Sequence, residues 1–248
     1  MKKIICDTYD DLSRTAAEII ISQVKRKPDS VLGLATGSTP LGLYSELVRR
    51  SEAGAVDFSK VRSFNLDEYY PIKRDHPQSY YHYMHDNLFS KVKFASVRLP
   101  DGEAVDPQAE CEKYDADISD AGGIDLQLLG IGVNGHVGFN EPALSYSVGT
   151  YLVELTESTL TANSRFFTDG EVQPRSALTM GFGAIFGARS ILLLISGASK
   201  AHVAEKLFEG KIHTDIPASL LLLHPNVTVI LDHEAAGEHD HDHHHHHH

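Results

Sequence analysis

"IDLQLLGIGVNGHVGFNEP", residues 124–142, is the stretch that decides the fold. Its first half is a mainly apolar run of strand type, and its second half changes abruptly to glycines and polar side chains. Gly130, Gly132 and Gly135 make a literal G-x-G-x-x-G directly after the run, where a dinucleotide-binding fingerprint would sit. That fingerprint needs a helix to begin at its third glycine, so that the helix N-terminus faces a pyrophosphate. Here Gly138, Asn140 and Pro142 follow instead, which favours a tight irregular loop. The acidic residue expected about 20 positions further on has only Glu154 and Glu157 as weak counterparts. The stretch therefore reads as a strand feeding a loop, and His136, Asn140 and Glu141 supply acid/base and hydrogen-bonding groups that a pyrophosphate cradle does not need.

Outward from this stretch, short β-branched or apolar runs alternate with amphipathic ones. Strands are expected at 3–6, 30–35, 61–66, 97–99, 124–132, 151–155, 190–196 and 227–232, with helices at 10–27, 41–54, 79–89, 107–122 and 200–210. Most strand runs are apolar throughout, as in a sheet covered on both faces. The expected fold class is α/β: an open, doubly wound, mainly parallel sheet with helices on both faces, Rossmann-like. Residues 1–236 read as one domain without repeats or linkers, and residues 140–190, rich in Ser, Thr, Asn and Gly, as its least regular part and a candidate lid.

Four polar stretches directly follow expected strands: "TGSTP" (36–40), "DEYY" (67–70), "NGHVGFNEP" (134–142) and "GASK" (197–200). Carboxyl ends of parallel strands line the ligand crevice, so the four converge on one edge. "TGSTP" has small residues, two hydroxyls and Pro40 near a helix start; it suits a monophosphate, although an ordinary capped turn has the same composition. Lys200 and Arg165 are cations that either bind that anion or are solvated surface groups. Asp67, at a strand end and shielded from water, suits proton transfer next to a carbonyl, and equally suits capping a turn. Tyr69, Tyr80, Tyr81 and Tyr83 either line a sugar pocket or pack at helical spacing. His136 is a general acid/base candidate, with Glu141 as its orienting carboxylate. No His/Cys/carboxylate cluster at metal spacing and no G-x-S-x-G occurs outside the C-terminal tail, so metal-free proton transfer is expected.

The 248 residues carry a formal charge of −12, which becomes −9 without the three acids of the tag-like "GEHDHDHHHHHH" at 237–248. No Lys/Arg stripe suited to a phosphate backbone is present, so no nucleic-acid partner is expected. No apolar run approaches the roughly 18 residues of a membrane span, and Cys6 and Cys111 form no disulfide framework. A cytoplasmic protein without a membrane partner follows as the expectation.

The seven blocks "TGSTP", "FNLDEYY", "HPQSYYHYM", "GVNGHVGFNEP", "TANSRFF", "ALTMGFG" and "SGASKA", in order between Val31 and Asp232, resemble the glucosamine-6-phosphate deaminase family. The resemblance implies conversion of glucosamine 6-phosphate to fructose 6-phosphate and ammonia, in amino-sugar catabolism and without a cofactor. It implies Asp67 as the base moving a proton between C2 and C1, His136 as the group opening the pyranose ring, and Glu141 as its support. Gly37, Ser38, Thr39, Arg165 and Lys200 are implied as phosphate ligands. The expected partner is a small sugar phosphate, and the expected assembly a monomer or small homo-oligomer.

Three departures matter. Asn134 stands where many members have Asp, and an amide carries no charge for stabilising an imidazolium. Tyr151 and Val153 align with an Arg and a Lys of allosterically activated members, whose longer C-terminal segment also has no counterpart before the tag-like tail. Absence of activation by N-acetylglucosamine 6-phosphate is therefore expected. The related 6-phosphogluconolactonases generally lack "FNEP" and the "LDEYY" carboxylates, and sugar-phosphate-sensing modules of transcription regulators carry an N-terminal helix-turn-helix; both are the competing readings.

Overall fold

A computed structural model describes residues 1–237; all of the tag-like stretch except Gly237 lies outside the described residues. Seven parallel strands form the main sheet: β1 (Lys2–Cys6), β2 (Val31–Leu34), β3 (Arg62–Asn65), β5 (Ser96–Arg98), β6 (Leu126–Leu129), β9 (Ser190–Ile195) and β10 (Val227–Asp232), in the order β1-β10-β9-β6-β2-β3-β5. The intervening β4 (Asp67–Tyr70), β7 (Tyr151–Glu154) and β8 (Ser176–Thr179) make a separate antiparallel sheet in the order β4-β8-β7.

The apolar strand runs are buried on both faces because alternate side chains enter different cores. Leu192, Leu194 and Ile230 join one core with α1 (Tyr9–Arg26) and α2 (Leu41–Glu52). Ile191, Leu193, Ile195, Val229 and Leu231 join the other with α4 (Pro107–Asp120), α6 (Phe182–Gly187) and α7 (Ala201–Leu207). α1 shows why such helices form here. Thr8 caps it by accepting from Asp11 N at 3.1 Å, acids lie in its first turn and Lys25 and Arg26 in its last. Leu12, Ala16, Ala17, Ile20, Ile21 and Val24 place an apolar stripe against the sheet, each large side chain contributing about 1.5–3 kcal/mol when fully buried.

The connectivity creates the crevice. From β2 the chain steps outward through β3 to β5, then returns to the other side of β2 as β6 and steps outward again through β9 and β10. The loops after β2 and β6 thus flank the point where strand order reverses, the preferred place for a ligand in such sheets.

Two expectations need correction. "DEYY" is not a strand-end loop but strand β4, and the region 140–190, beyond the strand expected at 151–155 and found as β7, contains β8, α6 and the short helix α5 (Glu157–Asn163). Leu66 is the corner: its N–H donates to Leu34 O at 2.9 Å in the main sheet, and its carbonyl accepts from Met180 N at 2.9 Å beside the small one. β4 then pairs antiparallel with β8, Asp67 opposite Thr179. The hydrogen-bond partners that make "DEYY" a strand come from more than 100 residues away, so no local periodicity reports them.

Candidate active site

The four polar stretches meet around one cavity of about 250 Å3. Thr36–Pro40 come from the turn after β2, Leu66 and Asp67 from the corner before β4, and Gly130–Gly132, His136, Gly138 and Phe139 from the loop after β6. Lys200 closes it from the turn after β9.

Asp67 is 7% exposed and, among the described residues, receives no hydrogen bond on its carboxylate. Uncompensated burial, and after it the charge of Glu68, pushes its pKa up to about 8. Glu68 is equally buried but differently served. Its Oε1 accepts from the N–H of Tyr69 and Tyr80, each at 2.9 Å, and its Oε2 from Tyr81 N at 3.0 Å. Burial raises Glu68 as well, while those N–H groups at the start of α3 (Tyr80–Met84) oppose the rise. Glu68 is therefore the better-stabilised anion of the two, and Asp67 the group that exchanges its proton.

In the loop after β6, no helix starts at Gly135, so the glycine pattern does not build a nucleotide finger. A Cβ on Gly132 would stand 1.9 Å from His136 Cδ2, so the imidazole lies across this backbone only because residue 132 has no side chain. Gly135 has φ +87°, which supplies the reversal that sends His136 back over Gly132. His136 Nδ1 lies 3.0 Å from Gly138 O. A carbonyl only accepts, so Nδ1 carries a proton, and Nε2 is the ring nitrogen left to exchange one with a ligand.

Glu141 does not touch the imidazole. Its Oε2 accepts from Asn134 Nδ2 at 2.8 Å, and Asn134 Oδ1 accepts from His136 N at 3.1 Å. Asn134 thus joins the two through the histidine's main chain. Asn140 fastens the loop: its Nδ2 donates to Val137 O and Met180 O, both at 2.9 Å, and its Oδ1 accepts from Tyr151 OH at 2.8 Å.

Gly37, Ser38 and Thr39 line the cavity with Lys200, whose ammonium donates to Ile131 O and whose pKa burial lowers. Arg165 lies outside this set, exposed, with its guanidinium 4.6 Å from the Phe166 ring centroid. Tyr80 and Phe139 form a cavity wall, their rings nearly parallel at 9° and 6.3 Å apart. Helical spacing alone does not distinguish Tyr80 from a packing residue, because the decisive neighbour, Phe139, comes from another loop.

Residues 7–230 match the family described as glucosamine-6-phosphate isomerases/6-phosphogluconolactonase. The chain belongs to this family. Within it, the chain is 51% identical over 238 residues to the glucosamine-6-phosphate deaminase of Thermoanaerobacter pseudethanolicus, covering 95% of this chain and 94% of that one. It is 50% identical over 240 residues to the Clostridium botulinum enzyme of the same name, covering 96% and 98% respectively. A solved structure of a monomeric glucosamine-6-phosphate deaminase superposes with a TM-score of 0.91 at 46% identity, over 96% of this chain and 99% of the other. The 6-phosphogluconolactonase of Leishmania guyanensis shares the fold, with a TM-score of 0.73 at 21% identity over 94% and 97% of the two chains. No helix among the described residues is long and apolar enough to cross a membrane.

Proposed function

We propose that this chain converts glucosamine 6-phosphate and water to fructose 6-phosphate and ammonia, as its relatives' name describes. The observation that carries the reading is Asp67: a buried carboxylate with no donor among the described residues, its pKa raised to about 8, in one cavity with His136 and the 36–40 turn.

Isomerisation needs one group to take a proton from C2 of the open-chain aldose and return it to C1. A carboxylate titrating near neutrality does both, because neither its acid nor its base form is strongly disfavoured. Asp67 removes the C2 proton while O1 gains a proton given up by the C2 ammonium, giving an enolamine, and Asp67 then protonates C1; the resulting C2 iminium adds water and expels ammonia. His136, through Nε2, takes the anomeric hydroxyl proton and delivers it to the ring oxygen, opening the pyranose. Glu141 acts on His136 through Asn134, by holding the main chain that carries the ring. The Gly37–Thr39 turn and Lys200 bind the phosphate, and Arg165, exposed and outside the cavity lining, is a further cation for it. Buried thiols at Cys6 and Cys111 accord with a cytoplasmic enzyme, and the monomeric structural relative supports a monomer. Residues 1–236 act as one catalytic unit.

The test is a direct assay of ammonia and fructose 6-phosphate released from glucosamine 6-phosphate. Equimolar release is expected. Hydrolysis of 6-phosphogluconolactone without that release would replace the proposal.

A further inference from the structure

The phosphate turn is held from behind by three tyrosines, each from a different helix. Tyr83 OH, from α3, donates to Gly37 O at 2.6 Å. Tyr9 OH, from α1, donates to Thr39 O at 2.7 Å with a longer contact to Ser38 O at 3.2 Å, and accepts from Gly42 N at 2.9 Å. Tyr44 OH, from α2 and fully buried, donates to Ala35 O and accepts from Ala35 N at 3.2 Å. The N–H groups of Ser38 and Thr39 donate to no acceptor among the described residues.

We infer that Tyr9 and Tyr83, with Tyr44 at the base of the turn, are positioning residues that fix its carbonyl edge away from the cavity and present its N–H edge to the phosphoryl group. The inference rests on the proposed phosphate site and goes beyond it, because none of the three touches the ligand. A carbonyl turned toward a phosphate dianion repels it, whereas an N–H binds it. Each carbonyl is one end of a peptide unit whose other end is the next residue's N–H. The bond from Tyr83 to Gly37 O therefore acts on the unit that ends in Ser38 N–H, and the contact from Tyr9 to Ser38 O on the unit that ends in Thr39 N–H. A hydrogen bond accepted at the oxygen polarises the unit and strengthens its donor. Gly37, at φ +101°, gives the turn the left-handed residue such an N–H concavity uses.

Tyr83→Phe and Tyr9→Phe each remove one hydroxyl and keep the ring. Loss of one such bond is expected to raise both KM for glucosamine 6-phosphate and the competitive inhibition constant of inorganic phosphate about three- to ten-fold, with kcat within about two-fold. Tyr9 is half-exposed on α1, so its variant retains the test if Tyr83→Phe does not fold. Lys200→Ala separates the two levels of the argument. If it weakens phosphate while both tyrosine variants bind phosphate as the parent does, the positioning role is overturned and the phosphate site stands. If Lys200→Ala leaves phosphate inhibition unchanged, the phosphate site itself is misplaced. A fall in kcat as large as the rise in KM would mean general loosening of the cavity and would also overturn the inference.

Discussion

Asp67 and Glu68 are consecutive residues of one short strand, both buried, yet among the described residues three main-chain N–H groups serve Glu68 and none serves Asp67. Burial raises both carboxyls, but the N–H groups at the start of α3 hold Glu68 at about 7 while Asp67 rises to about 8, so Glu68 is the better-stabilised anion and Asp67 the more readily protonated. Glu68→Gln removes the negative charge that raises Asp67 and leaves its burial unchanged. Asp67 then ionises at lower pH, so the rising limb of kcat/KM against pH moves to lower pH, by on the order of one unit. An unchanged or upward-moving limb would show that the two carboxylates are not coupled.

Gly132 is the second point where the site depends on one atom. Gly132→Ala puts a methyl where His136 Cδ2 lies, and the ring must leave its place over the loop. A displacement of that size is expected to lower kcat at least about 100-fold, while circular dichroism and the thermal midpoint stay near those of the parent. Retained activity would mean that the imidazole works from another position.

The sheet has a clasp at its opposite end. Asp125, 3% exposed, accepts from Val31 N at 2.7 Å and pairs with Lys27 and Arg189, both at 3.0 Å, tying the starts of β2, β6 and β9. Both cations are largely exposed and add little; the buried N–H left unpaired is the main loss. Asp125→Ala should cost about 2–4 kcal/mol in urea unfolding with kcat unchanged. A matching loss of kcat would place Asp125 in the energetics of the site as well.

Activation is expected to be absent. Where activated relatives are expected to carry a cation, this chain has Tyr151, whose hydroxyl donates to Asn140 in the catalytic loop, and Val153 follows on the same strand. Adding N-acetylglucosamine 6-phosphate at fixed, sub-saturating substrate should leave the rate within about two-fold. A several-fold increase would reveal an effector site built from other residues.

The sequence made the main sheet legible because its central strands, β2, β6, β9 and β10, are mostly apolar, buried runs, and because "TGSTP", "NGHVGF" and "GASK" lie at strand ends by composition alone. β4 and β8 were hidden. "DEYY" is a strand only because it pairs with "SALT" across more than 100 residues, and "SALT" in turn lies between β4 and β7. The same distance effect hid the partners of the site residues. His136 and Glu141 look like a dyad at a spacing of five, but loop curvature turns the ring to Gly138 O and the carboxylate to Asn134. Arg165 belongs to the family motif, yet its place against Phe166 is set by a short 3-10 turn that no motif encodes. The tyrosines behind the phosphate turn each lie on a different helix like any packing residue, and only their hydroxyl partners distinguish them.

Solvent exchange at carbon tests the central claim most directly. Turnover of glucosamine 6-phosphate in deuterium oxide should place deuterium on C1 of fructose 6-phosphate, and Asp67→Asn should abolish both that label and exchange at C2 while the phosphorylated substrate still binds. Exchange by Asp67→Asn at the parent's rate would contradict the assignment of Asp67 as the proton carrier and move the chemistry to another group.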